Sequence, residues 1–293
     1  MNYLQPKKIE EAVLLAQSPG AFFLAGGTDL ILQVRKGKVY PHVLIDLGKI
    51  PELRSIEVFE DYLIIGSMVT FDDCLRSVDI RDKAFALWQA CQTMGSPQIR
   101  HQATIGGNLG NCSPAADALP PLLVLGTLVE LVSAEGKEVL PLSDLLERNP
   151  MLKQGTLVKA FRIPLNGLVS GFSKLGRRQA LSISRLSVAI SLKPIDKRPV
   201  ELRIALGAVG KRPFLANELT RNLQGKVMDE EWIQMVCSDA QHLVKDILGS
   251  RASAPYKSVA VGGVIRKALT QVIDSIPGTN GSLIVSKEGE TGK

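Results

Sequence analysis

Two glycine-rich turns, LAGGTD (Leu24 to Asp29) and TIGGNLGN (Thr104 to Asn111), constrain this chain more than any other feature. Glycine pairs of this kind can cradle an anion. A Cβ would block the close approach, and the positive φ, that point successive amides at one phosphate. After the first turn, TDLILQVRKG (Thr28 to Gly37) predicts a helix of about ten residues, with Thr28 or Asp29 as N-cap, basic residues in the last turn and glycine at the end. Its N-terminus would add free N–H donors and a positive dipole end, and a diphosphate fits that arrangement. Neither turn is a G-x-G-x-x-G fingerprint, and the chain has no G-x-x-x-x-G-K-[ST] sequence, so the Rossmann and P-loop readings lack their defining element. Taken singly, a Gly-Gly pair is more often an ordinary turn. What sets these two apart is their company: Thr28, Asp29, Thr104, Asn108, Asn111, Ser113 and Asp117 can pair with phosphate oxygens and sugar hydroxyls.

At 293 residues the chain exceeds what one compact core usually organises, which predicts two domains or one domain with a distinct C-terminal lobe. Hydrophobic residues at 45% and charged residues at 22% describe a globular chain with a sizeable core. The net charge of +6 comes from scattered pairs (Lys7-Lys8, Arg35-Lys36, Arg177-Arg178, Lys211-Arg212) and not from a stripe. With no interleaved aromatics or reading motif, that pattern speaks against nucleic acid. No charged-then-apolar leader is present and no apolar run reaches the roughly 18 residues of a membrane span, so a cytoplasmic protein without a membrane span is expected. Cys74, Cys91, Cys112 and Cys237 are far apart with no C-x-x-C pair, and read as reduced thiols. No metal ligands are assigned. An iron–sulfur cluster exchanging electrons with this chain would have to sit on another subunit.

Along the chain, KKIEEAVLLAQ (Lys7 to Gln17) has helical spacing and AFFLAGG (Ala21 to Gly27) reads as a strand ending in the first turn. HVLIDLG, SIEVF and DYLIIGS (within 42–67) are strands, and Thr70 to Met94 is helical. Residues Gly95 to Pro121 read as one long loop, whose length implies a task. TLVELVS (Thr127 to Ser133) and TLVKAFRIP (Thr156 to Pro164) are strands. GFSKLGRR, LSVAISL and ELRIALGAVG (within 171–210) suggest a small antiparallel sheet with one face covered by helices at 229–247 and 255–276. The expected division is a domain over 1–168, with parts at about 1–57 and 58–168, a second over 169–277, and a mobile tail over 278–293.

AGGTDLILQVRKG, IDLGKIPELRSI, IGSMVTFDD, GSPQIRHQATIGGNLGNCSPAADALPPLL, FSKLGRRQALSISRLSVAISL and SRASAPYKSVAVGGVIRKAL occur in that order and together resemble the FAD subunits of molybdenum hydroxylases, the family of xanthine and carbon monoxide dehydrogenases. The resemblance covers nearly the whole chain. It implies an α+β fold: a vanillyl-alcohol-oxidase (PCMH)-type FAD-binding domain of two α+β subdomains, then a C-terminal three-stranded antiparallel sheet with helices. By position in the matching motifs, Ala25, Gly26, Gly27, Thr28, Asp29 and Leu30 would wrap one side of the FAD diphosphate, and Ala103, Thr104, Gly107, Asn108 and Gly110 the other. Ser113 would join the second group. Asp117 matches the acid on the ribityl or ribose hydroxyls. Leu157 and Lys174 match positions near the flavin ring, where a lysine suits negative charge on reduced flavin. Met94 stands where some relatives place an aromatic residue near the ring, and Ser182 where the family often has Asp. The cysteine-rich insertion that carries a [4Fe–4S] cluster in some relatives is absent.

The resemblance further implies an electron relay. A molybdenum-binding large subunit holding molybdopterin would oxidise a substrate, a small [2Fe–2S] subunit would carry the electrons, and FAD on this chain would deliver them to NAD+ or another acceptor. A dimer of heterotrimers is one such assembly. No catalytic side chain is assigned, since the flavin carries the chemistry. The alternatives are a stand-alone flavoprotein reductase or oxidase and a non-redox assembly subunit. Several residues also have plain structural readings. Arg100 and His101 can be a solvated loop pair, Asp117 can cap the following helix, Arg177 and Arg178 can be surface charge, Cys112 can be filler with no His to activate it, and Trp88 and Trp232 can be core.

Overall fold

The computed structural model describes residues 1–176, 184–221 and 223–276. The first part of the chain runs β1 (Asn2–Leu4), α1 (Ile9–Leu15), β2 (Ala21–Leu24), α2 (Leu30–Arg35) and β3 (Val43–Asp46). All three strands are parallel in the order β1-β3-β2, with Asn2 and Ala21 both opposite Val43. In α1, Ile9, Ala12 and Val13 recur at helical spacing and are buried against Ile45 and Leu47. Met68, Val132 and Leu157 complete this cluster, so it packs directly on the next part of the fold. The helix α2 is shorter than its sequence predicts. Asp29 is its N-cap but makes no side-chain cap bond. Its C-terminus closes in a Schellman motif at Gly37 (φ +64°), with Lys38 N donating to Gln33 O at 2.9 Å and Gly37 N to Val34 O at 3.0 Å.

The second part holds β4 (Ile56–Val58), β5 (Tyr62–Gly66), α3 (Phe71–Arg76), α4 (Val78–Lys83), α5 (Phe85–Thr93), α6 (Pro97–Arg100), α7 (Ile105–Asn111), α8 (Leu119–Val124), β6 (Leu128–Ser133), β7 (Gly136–Pro141), α9 (Leu142–Glu147) and β8 (Leu157–Pro164). Its strands form a five-stranded antiparallel sheet in the order β4-β5-β8-β6-β7. A Thr70–Asp73 capping box starts α3, satisfying two N-terminal donors reciprocally. The stretch read as one long loop is instead built on three short helices, α6 to α8. Ser96 and Thr104 cap the first two, and Pro120 and Pro121 pre-set φ in the first turn of the third. The edge strand β7 (GKEVLP), which no sequence pattern announced, exposes every residue but Leu140.

In the last part, β9 (Val169–Leu175), β10 (Leu186–Leu192), β11 (Pro194–Ile195), β12 (Arg198–Pro199), β13 (Arg203–Gly207) and β14 (Phe214–Leu215) precede α10 (Asn217–Arg221), α11 (Glu230–Leu248) and α12 (Ala254–Asp274). The main sheet has the order β14-β13-β10-β9. It is antiparallel, and the two-residue β14 makes it four-stranded where three were expected. Helices cover both of its faces, not one. Every residue of β10 is buried. Phe172, Ala189 and Ala205 face the core containing α5 and α8, while Val188, Ile190, Ile204 and Leu206 face α11 and α12. Trp232 is fully buried with Nε1 donating to Leu223 O at 3.0 Å, and Trp88 is half-buried, stacked on Phe85 with Nε1 donating to Leu75 O at 3.1 Å. No described helix is long and apolar enough to cross a membrane. Arg177, Arg178, Ser182 and the 278–293 segment lie outside the described residues.

Candidate functional site

The two turns meet. A Cβ on Gly26 would fall 1.8 Å from the carbonyl oxygen of Gln102 and 3.1 Å from Ala103 Cα, and one on Gly107 would fall 3.6 Å from Ala25 Cβ. Only a residue without a side chain lets the loop after β2 lie on the segment entering α7. Gln33 Nε2 also donates to Asn111 Oδ1 at 3.3 Å, tying α2 to the end of α7.

Between and beside the turns runs a cleft of about 340 Å³, inside the range of roughly 300–1,000 Å³ usual for cofactor sites. Ala25, Gly26, Gly27, Thr28, Asp29 and Leu30 line it from one side and Ala103, Thr104, Gly107, Asn108 and Gly110 from another, together with Met94 and Leu157. Gly27 sits at φ +69°, the left-handed region that favours glycine. The N–H groups of Gly26, Gly27, Thr28, Asp29 and Leu30 have no hydrogen-bond acceptor among the described residues. Five consecutive unpaired donors beside an open cleft suit an anion.

The second turn works differently from its sequence reading. It is the first turn of a helix, and the amides from Ile105 to Asn108 are already committed. Ile105 N donates to Val69 O at 3.0 Å, Gly106 N to Ser67 O at 2.9 Å, Gly107 N to Thr104 Oγ1 at 2.9 Å and Asn108 N to Thr104 O at 2.9 Å. Its contribution is therefore steric. Gly110 has open space where a Cβ would stand, so α7 presents bare backbone to the cleft.

Ser113, Asp117 and Lys174 are not among the lining residues. Ser113 Oγ accepts from Ala115 N at 3.2 Å and closes its own turn. Asp117 does not cap α8. Its Oδ2 accepts from Lys174 Nζ at 2.7 Å, and Ser184 Oγ donates to its other oxygen. Burial pushes the Asp117 carboxyl above the usual carboxylate range, against the pull of Lys174 and the Ser184 hydrogen bond. This buried pair bridges α7–α8 and β9. Arg100 and His101 make local bonds: Arg100 Nη1 donates to Met94 O at 3.0 Å and Gly95 O at 3.2 Å, and His101 Nδ1 lies 2.7 Å from Pro97 O. Cys112 is half-buried, its thiol pushed up by burial, which makes it a poor nucleophile. Among the described residues no His, Cys, Asp and Glu group could hold a metal ion.

The lining includes residues that the motifs alone did not single out, among them Phe22, Phe23, Gln33, Ser67, Met68, Phe71, Thr156 and Val158. Ser67, Met68 and Phe71 lie in IGSMVTFDD, so the motif held the signal but no chemistry distinguished them. Phe71, Met94, Leu157 and Val158 give the cleft an apolar wall, while free amides, hydroxyls and the Asn108 amide supply polar contacts. No lysine or arginine lines it among the described residues, so a diphosphate there would be met by backbone dipoles. One buried hydroxyl on its wall, Ser67 Oγ, has no partner. The residues present therefore fit a ligand with an apolar ring and a diphosphate, such as FAD.

Comparison with known proteins agrees. Residues 1–166 match the family described as the FAD binding domain in molybdopterin dehydrogenase, and residues 171–272 match the CO dehydrogenase flavoprotein C-terminal domain. The nicotinate dehydrogenase FAD-subunit of Eubacterium barkeri is 30% identical over 291 residues, covering 94% of this chain and 97% of that protein. The xanthine dehydrogenase FAD-binding subunit of Escherichia coli O157:H7 is 26% identical over 285 residues, with 94% and 97% coverage. The solved structure of reconstituted CO dehydrogenase from Oligotropha carboxidovorans superposes with a TM-score of 0.85 at 27% identity, covering 93% of this chain and 97% of that one. The chain thus belongs to the family of FAD-binding medium subunits of molybdenum hydroxylases, built on the vanillyl-alcohol-oxidase-type α+β flavin fold with its antiparallel-sheet C-terminal domain.

Proposed function

We propose that this chain is the electron-transfer subunit of a molybdenum hydroxylase, holding FAD in the cleft between the two glycine turns. Electrons would arrive from [2Fe–2S] clusters of a small partner subunit, fed by a molybdopterin-bearing large subunit, and leave to NAD+ or another acceptor. The observation that carries the reading is the run of unpaired amides from Gly26 to Leu30, beside bare helix backbone at Gly107 and Gly110. When bound, FAD supplies the redox chemistry, accepting and releasing electrons. The chain's own task is to hold and shield it. The Gly26–Leu30 amides would bind the diphosphate, and Thr104, Asn108 and Thr28 would contact sugar and phosphate oxygens. Phe71, Met94, Leu157 and Val158 would exclude water from the ring. Asp117 and Lys174, buried next to this region as an ion pair, would set the local field. The same reading divides the chain into an FAD-binding domain over 1–168 and a C-terminal domain over 169–277, consistent with the separate core between β10 and α11–α12.

The test is copurification with the large and small subunits, followed by addition of candidate substrates and acceptors. Visible flavin absorbance that bleaches with substrate and returns with acceptor supports the relay. A complex whose flavin stays oxidised while substrate is turned over contradicts it. A purified chain that is colourless and refractory to FAD supports an assembly subunit instead.

A further inference from the structure

The cleft carries one charge, and its sign is wrong for a diphosphate. Among the described residues that line it, Asp29 is acidic and every other is apolar or neutral. It stands inside the Gly26–Leu30 amide run, where a carboxylate repels phosphate oxygens with no lining lysine or arginine to offset it. The fold makes no other use of this side chain. Asp29 is the N-cap of α2, a place where an acid ordinarily accepts from an amide of the first turn, yet it makes no such bond. The Ile31 amide donates instead to Gly27 O at 3.2 Å. No described lysine, arginine or histidine pairs with the carboxylate. Asp29 is exposed, so its oxygens are not sealed from a ligand.

The chemistry of the ligand resolves the conflict. An ionised carboxylate can only accept hydrogen bonds, and the FAD diphosphate has no proton to give it. The sugars on either side of the diphosphate do, as hydroxyls. Asp117, the acid expected to meet those hydroxyls, is buried, spent on Lys174 and Ser184, and absent from the lining. We propose that Asp29 takes that role as a specificity residue, its carboxylate accepting from hydroxyls of the ribityl chain or the ribose next to the diphosphate. The inference rests on the cofactor reading given above and gives one side chain a task distinct from that of the amides around it. Hydrogen bonds to an ionised acceptor are stronger than neutral ones, which lets a single acid outweigh its repulsion of the phosphates.

The sign of one substitution decides the matter. Asp29→Ala removes a negative charge from beside a dianion, so a carboxylate that were a bystander would leave FAD binding unchanged or tightened, most of all at low salt. The proposal requires the reverse: FAD affinity should fall about tenfold, with Asp29→Asn in between because its amide oxygen still accepts. Both are measured on the full FAD-free chain by titration with FAD followed by flavin fluorescence. Competition by ADP and by FMN locates the hydroxyls. A loss for ADP alone identifies the ribose, a loss for FMN alone identifies the ribityl chain, and a loss for neither overturns the inference. So does a wild-type affinity that collapses in EDTA, which would place a divalent cation between Asp29 and the diphosphate. Unchanged or tighter FAD binding by Asp29→Ala, with wild type binding normally, overturns the inference alone. A wild-type chain that takes up no FAD overturns the cofactor reading and this inference together.

Discussion

Gly26 and Gln102 are in backbone contact: a Cβ on the glycine would penetrate to 1.8 Å from the glutamine carbonyl oxygen. The two glycine turns are thereby assembled by the fold itself before any ligand arrives. One turn contributes donors, and the other contributes a surface that a ligand can approach.

Gly26→Ala places its methyl against rigid backbone, which cannot rotate away. Overpacking of this kind typically costs about 1–3 kcal/mol. The thermal midpoint should fall by several degrees in the FAD-free chain, and an unchanged midpoint would show that the contact is loose.

Gly110 offers the complementary case, since nothing stands within 4 Å of its absent Cβ. Gly110→Leu should leave the FAD-free chain as stable as wild type, or more stable by about 0.5–1 kcal/mol because glycine is a poor helix former. It should nonetheless reduce FAD affinity at least tenfold by filling the cleft. Thermal unfolding and flavin titration on one preparation separate the two effects.

The buried Asp117–Lys174 pair predicts strong coupling. Lys174→Met leaves the carboxylate buried with only the Ser184 hydrogen bond, a loss of about 3–5 kcal/mol. With its cation gone, burial raises the Asp117 carboxyl further above its unfolded value. The folded state then keeps a proton that the unfolded chain has lost, so stability declines as pH rises through that window. The defect should therefore be larger at neutral pH than in mild acid, and Asp117→Asn combined with Lys174→Met should recover much of it. Additive losses would contradict the pairing.

Asp46 behaves in the opposite sense. Burial works to raise its carboxyl, but hydrogen bonds from Tyr3, Gln5 and Gly48 outweigh it and, with Arg54, hold it below the usual range. The stability it contributes is present above the ordinary Asp range and is lost as pH falls through its lowered value. Asp46→Asn should cost about 1 kcal/mol at neutral pH, allowing for partial exposure, and little in acid. Chemical denaturation at the two pH values checks the sign.

The chain's periodic elements were legible where burial is one-sided. The helices α1, α11 and α12 and the strand β10 follow from apolar spacing. The strand β7 was not, because an exposed edge strand of Lys137, Glu138 and Val139 has no apolar alternation to read. The helices α6 to α8 were hidden because glycine, proline and asparagine signal a loop, whereas here caps at Ser96 and Thr104 and proline in a first turn make short helices. The same composition concealed that the α7 amides are spent internally. Covering of the C-terminal sheet on both faces was inscribed in LSVAISL, whose two serines look like an alternating outer face. Both are buried, and Ser191 Oγ donates to Val124 O at 2.6 Å. For the site, the motifs located both turns, but spacing along the chain could not say that Ser113 closes its own turn, that Asp117 and Lys174 bind each other, or that Ser67 lines the wall.

Amide-resolved hydrogen exchange with and without FAD tests the central claim most directly. Binding should slow exchange at Gly26, Gly27, Thr28, Asp29 and Leu30, which have no acceptor in the free chain. Ile105 to Asn108, already bonded, should change little. Protection confined to the α7 amides, with the Gly26–Leu30 run exchanging as before, would contradict the account.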